Sequence, residues 1–176
     1  MHSIFVSTII VSATFLAGCA SVQKTPIKAV EHVEVARFMG SWYVIASIPT
    51  FLEKDAYNAV ESYQENPNGT IKTTFNFRKG SFDGPVKTMK PTGFIRDASN
   101  AVWGMRLVWP FKSEYLIAHL DADYTETIIA RTARDYVWIM AKKPQLSDSD
   151  YQRLLGQVGS MGYDTSKVLR VPQRWP

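Results

Sequence analysis

Few side chains in this sequence are spaced for bond-making chemistry. The histidines, His2, His32 and His119, stand far apart, and no run of His, Cys, Asp and Glu has metal-ligand spacing. A G-x-S-x-G nucleophile elbow is absent. A single cysteine, Cys19, excludes an intrachain disulfide and leaves one thiol at the end of an apolar run. Glu61 shares strand parity with Ala59 and Tyr63 in an otherwise mixed alternating segment. These features favour holding a ligand over transforming one.

The thiol has the more specific context. Residues 4–17 are apolar or small and uncharged, the length of a signal-peptide core and too short to span a bilayer comfortably. They end in Leu16-Ala17-Gly18-Cys19, which resembles a bacterial lipobox. The resemblance implies cleavage before Cys19, a diacylglyceryl group on its sulfur and a further acyl chain on its amine. Several acyl chains anchor stably where one does not. Ala20 in place of Asp implies, by the lipoprotein sorting rule, the outer rather than the inner membrane. The alternative is a free cysteine in a buried helix. Met1-His2-Ser3 lacks the usual Lys or Arg of such leaders, which points to a start codon upstream. The expected organisation is a signal peptide at 1–18, a lipidated tether at 19–36 and a folded domain at 37–176.

The elements that must position everything else are short strands. With 176 residues, 45% hydrophobic and 20% charged, one globular domain is expected. The net charge of +4 is scattered, with no basic patch for nucleic acid. Gly40-Ser41-Trp42-Tyr43 opens a first strand that Pro49 stops. Residues 57–65 and 70–78 form a hairpin across Asn66-Pro67-Asn68-Gly69. Residues 86–95 form a strand that Pro91 and Gly93 bend. Strands at 101–109, 114–120, 126–133 and 136–142 follow, making eight. Ser147 caps a helix with Tyr151, Leu154, Leu155 and Val158 on one face, and 168–171 adds a short last strand. Eight short, sequentially adjacent strands favour an up-and-down antiparallel β-barrel with a C-terminal helix over a sandwich.

In this order the pattern resembles the lipocalin family, and within it the bacterial outer-membrane lipoprotein group. The resemblance covers residues 40–171. Gly40-Ser41-Trp42 matches the first-strand motif, and Asp121 with Tyr124 matches the second loosely, with Leu120 in place of a Thr. In the third motif Lys142 stands where the family has an Arg stacked on the Trp. Lysine covers an indole through its stem and charge but lacks the planar fork. The resemblance makes Gly40, Trp42 and Lys142 the structural floor of the barrel. Alternation from there turns Val44, Ala46 and Ile48 inward, with Met140, Trp138 and Tyr136. The apolar faces of other strands add Phe75, Phe77, Trp103, Met105, Leu107 and Trp109. Alignment with the family adds Tyr115, Ile117, His119, Ala59, Glu61 and Tyr63. The ligand contacts expected are Trp138, Met140, Tyr115, Ile117, Phe75, Phe77, Trp103, Met105, Glu61 and Tyr63.

An inward carboxylate is costly unless partnered. Glu61, with Tyr115 or His119, either fixes the polar head of a ligand or sits at the rim in water or against a base. The resemblance implies a lipid-binding protein that stores or transports a fatty acid or lysophospholipid. It would be tethered through acylated Cys19 to the outer membrane and face the periplasm, without cofactor or metal. Members of the group can be dimeric, so a homodimer is an open expectation. The other readings are a lipid-modifying enzyme and a structural lipoprotein with a filled barrel.

Overall fold

A computed structural model describes residues 25–175. The signal peptide and Cys19 lie outside the described residues. The elements are α1 (Val35–Phe38), β1 (Gly40–Ile48), β2 (Ala56–Glu65), β3 (Thr70–Lys79), β4 (Val86–Met89), β5 (Thr92–Ile95), β6 (Val102–Arg106), β7 (Ser113–Leu120), β8 (Glu126–Ala130), β9 (Val137–Ala141), α2 (Asp148–Ser160) and β10 (Leu169–Arg170). Each strand pairs antiparallel with its neighbour, and β9 returns to pair with β1. β4 and β5 form one bent barrel strand and β10 is an appendage on β1, so the closed barrel has eight strands. Closure leaves no free sheet edge around the ring.

The bend between β4 and β5 has a local cause. Pro91 offers no N–H to the ladder, so the chain pairs first with residues 75–78 of β3 and then with 70–72. A Cβ on Gly93 would lie 3.1 Å from Ile71 Cβ and 3.2 Å from Met105 Sδ, so this crossing suits glycine. The 66–69 turn closes through Gly69 N–H to the Asn66 carbonyl at 2.9 Å, with Gly69 at φ +74°.

Two apolar layers follow from the alternation. The inner layer fills the barrel with Trp42, Val44, Ala59, Tyr63, Ile71, Phe75, Trp103, Tyr115, Ile117, Ile129 and Met140. The outer layer lies under α2, where Tyr151, Leu154 and Val158 cover Ile45, Ala46, Ile128 and Ile139. Ser147 caps that helix, its Oγ accepting from Asp150 N–H at 3.1 Å, with Asp148 and Asp150 in the first turn.

Bulges overturn three of the expected orientations. The β1 to β9 register slips between Val44 and Ala46. Ala46 then pairs with Ile139 and Ile48 with Val137, both on the helix side, so neither faces inward as strict alternation implies. Ser47 takes the inward place opposite Trp138. A second slip between Ile117 and His119 pairs His119 with Ile128 of the outer layer, so His119 faces α2 and not the barrel. The sixth strand also stops early. The β6 to β7 ladder ends at Met105 and Ser113, so residues 107–111 have no strand partner; Leu107 still borders the barrel interior, while residues 108–111 are exposed. Trp109, expected inside, is 78% exposed.

Candidate functional site

The closed end is built first. Strand β1 begins at Gly40, at φ +88°, a conformation L side chains rarely adopt. That turn brings α1 beneath the barrel, and Trp42 Nε1 donates to the Phe38 carbonyl at 2.8 Å. Lys142 Nζ donates to the Met39 carbonyl at 2.9 Å and lies 4.0 Å from the centroid of the Trp42 ring. Burial lowers the Lys142 pKa to about 8, which keeps the ammonium largely charged at neutral pH. Asp121 organises the neighbouring turn: Oδ1 accepts from the N–H groups of Thr125 (2.7 Å) and Glu126 (2.6 Å). These bonds hold its carboxyl below the usual range despite partial burial. Tyr124 receives the Arg37 guanidinium on its ring at 4.0 Å, and its hydroxyl accepts from Glu34 N–H. The Gly40, Trp42, Asp121 and Lys142 motifs thus converge on one end.

Above the floor the barrel is filled by aromatic rings. Phe38 meets Trp42 at 5.0 Å and Trp103 at 5.5 Å between centroids, and Trp103 stacks on Tyr115 at 5.4 Å. Trp103 Nε1 is satisfied by the Asn100 carbonyl at 2.7 Å. The Tyr63 and Tyr115 hydroxyls bond to each other across the barrel. Burial is the main cause that pushes both phenols well up, so they stay neutral.

The upper half is hollow. A cavity of about 310 Å³ is lined by Glu61, Phe75, Met105, Tyr115 and Trp138, together with Met89, Pro91, Leu107 and Tyr136. Loop residues Thr50 to Glu53, with Ser113, Glu114 and Arg131, complete the wall. Five of the ten residues expected to meet a ligand therefore border one space. The other five, Met140, Ile117, Phe77, Trp103 and Tyr63, are buried but do not border it; they support its walls and base. Trp103 stacks on Tyr115, which does border the space.

The sequence reading missed Glu53. It sits in the 49–55 loop, which carries no strand pattern, yet its Oε2 accepts from Trp138 Nε1 at 2.9 Å. Burial raises its pKa, while hydrogen bonds from Trp138 and Thr50 oppose the rise. Glu61 is raised further, from 4.5 to about 7, chiefly by burial; the Tyr63 hydroxyl offsets part of this and the Glu53 charge adds to it. Neither carboxylate has a cationic partner within salt-bridge distance among the described residues. Arg131 is held instead by Asp135 at 3.2 Å. On the cavity wall Phe51 is 82% exposed, and Trp109 and Phe111 are exposed in the segment between the lining residues Leu107 and Ser113.

An eight-stranded barrel closed at one end, hollow at the other and flanked by one helix defines a cup for a small, largely apolar ligand. Residues 33–173 match the model of the lipocalin-like domain, and the chain belongs to that family. It is similar to temperature-induced lipocalin-1 of Arabidopsis thaliana, 28% identical and covering 86% of this chain and 85% of that one. It is also similar to the outer membrane lipoprotein Blc of Citrobacter freundii, at 26% identity with 93% of each chain covered. Among solved structures, insecticyanin from Manduca sexta shares the fold with a TM-score of 0.65 at 15% identity, covering 85% of each chain.

Proposed function

We propose that this chain is a lipid-holding lipoprotein that stores or carries one fatty acid or lysophospholipid in the upper barrel. The observation that carries the reading is the cavity of about 310 Å³ above a sealed aromatic floor. Its size is at the small end of ligand pockets, roughly 300–1,000 Å³, which suits a single acyl chain better than two. Burying each methylene contributes about 0.8 kcal/mol before the costs of association. Exposed Phe51 on the cavity wall gives a tail an apolar entrance. A barrel filled throughout, the structural alternative, does not fit that hollow half.

The anchoring reading rests on Leu16-Ala17-Gly18-Cys19 and on the similarity to proteins named outer membrane lipoproteins. In this reading Cys19 is acylated, the protein is held at the outer membrane, and the barrel faces the periplasm on a short tether. Extraction of the purified protein followed by mass spectrometry tests the carrier reading. Stoichiometric single-chain lipid is the expected result; a protein that holds no lipid and takes up no added fatty acid or lysophospholipid would sink it. Incorporation of labelled palmitate that disappears in Cys19→Ala is the expected sign of anchoring.

A further inference from the structure

The cavity wall is mostly apolar and aromatic, and of its three carboxylates Glu114 accepts from Thr132 while no cation neutralises Glu61 or Glu53. Glu61 projects inward from β2, with Phe75 paired beside it on β3. Glu53 reaches the same space from the 49–55 loop, where Trp138 Nε1 holds its Oε2 at 2.9 Å. The one cation on the wall, Arg131, is engaged by Asp135 at 3.2 Å and lies against the Tyr136 ring. Negative charge is therefore in excess where the rings of Trp138, Tyr136 and Tyr115 line the space. A buried carboxylate without a counter-ion is expensive, and a bound cation would remove that cost. Aromatic walls favour an alkylated ammonium through the negative face of the ring.

Resting on the carrier reading above, we propose that Glu61 and Glu53, with the Trp138 ring, form a head-group site for a cationic ammonium. The cavity thus selects single-chain amphiphiles with an ammonium head over those ending in a free carboxylate. A carboxylate head would meet Glu53 and Glu61 with its own sign and gain only the engaged Arg131. The groups facing Glu61 are Glu53 from the loop, Tyr63 from its own strand and Tyr115 from β7; Arg131, Glu114 and Tyr136 stand on the same cavity wall. Of these Glu61 titrates near neutrality, so the preference for a cation strengthens as pH rises through about 7.

The test compares three probes of one tail length: dodecyltrimethylammonium, dodecanoate and the uncharged glyceryl monododecanoate. Affinities are read by Trp fluorescence below micelle-forming concentrations. At about pH 8 the ammonium probe should bind at least about tenfold tighter than dodecanoate. Glu61→Gln should reduce that ratio towards one while the neutral probe still binds, which also reports an intact barrel. Glu53→Gln should reduce it by a smaller factor. If the neutral probe binds but dodecanoate equals or exceeds the ammonium, the head-group site is refuted while the carrier reading stands. A ratio that survives both substitutions refutes it equally. If no probe binds, including the neutral one, the carrier reading fails and the head-group site with it.

Discussion

Lys142 Nζ lies 4.0 Å from the centre of the Trp42 ring while donating to the Met39 carbonyl at 2.9 Å. One ammonium therefore seals the indole from below and satisfies a carbonyl at the exit of α1. A cation over an indole is worth about 0.5–2 kcal/mol, and a part-buried carbonyl left unpaired costs about 1–3 kcal/mol. Lys142→Ala should destabilise the fold by about 2 kcal/mol, read as a lower urea midpoint with an unchanged slope. Lys142→Met keeps the stem and loses the charge, so it should fall between the two. If Lys142→Ala leaves the midpoint in place, the floor is held by the rings and α1 alone.

Glu61 links stability to pH. Its pKa is raised from 4.5 to about 7, so the folded protein holds that proton more tightly than the unfolded chain. The resulting stabilisation is complete below about pH 4.5 and is lost as pH rises through about 7. Glu61→Gln removes the titration. Between about pH 5 and pH 8 the native protein should lose on the order of 2 kcal/mol relative to the variant, discounted from the full shift because the cavity opens to solvent. Denaturation at the two pH values measures the difference. Parallel pH profiles would show that Glu61 is already ionised in the folded state.

The closed end was the part most legible in the sequence. Gly40, Trp42, Asp121 and Lys142 carry their identity in type and order; the Lys142 ammonium lies over the Trp42 ring beside Gly40, and Asp121 organises the neighbouring turn. Strand β3 was equally plain, because Ile71, Thr73, Phe75 and Phe77 alternate without interruption and are all buried. Orientation failed wherever a bulge adds a residue. Ala46, Ile48 and His119 all lie beyond such a slip, and nothing in residue type announces it where both faces of a strand are apolar. Glu53 was hidden for another reason: its role depends on a loop folding back to Trp138, a contact that no local pattern encodes.

The position of His119 leads to a separation of functions. It faces Arg153 of α2 and lies away from the cavity, so His119→Asn should leave the affinity for a bound amphiphile unchanged. Burial, then the Arg153 charge, lowers its pKa below 6.5. The unfolded chain therefore binds this proton more readily, and stability falls as pH drops through about 6.5 towards the folded value. His119→Asn should flatten that acid-side loss. Thermal melts across about pH 5 to pH 7 would show it, and a variant that instead weakened ligand binding would place His119 inside the barrel after all.

Trp138 joins the wall to the loop. Its indole borders the cavity while its Nε1 donates to Glu53 at 2.9 Å. Trp138→Ala removes both the apolar surface and the anchor of the 49–55 loop, and should weaken amphiphile binding by about tenfold or more. Trp138→Phe keeps a ring and deletes only the donor, so its loss should be smaller, about 1 kcal/mol for one hydrogen bond. Glu53, freed from Trp138, would lose one of the bonds that oppose its raised pKa, so Trp138→Phe should also move the Glu53 contribution to the pH dependence of binding upwards. Titration of a bound fluorescent fatty acid at several pH values measures both effects. A fall in affinity for Trp138→Ala with no pH displacement in Trp138→Phe would assign the indole to apolar contact alone.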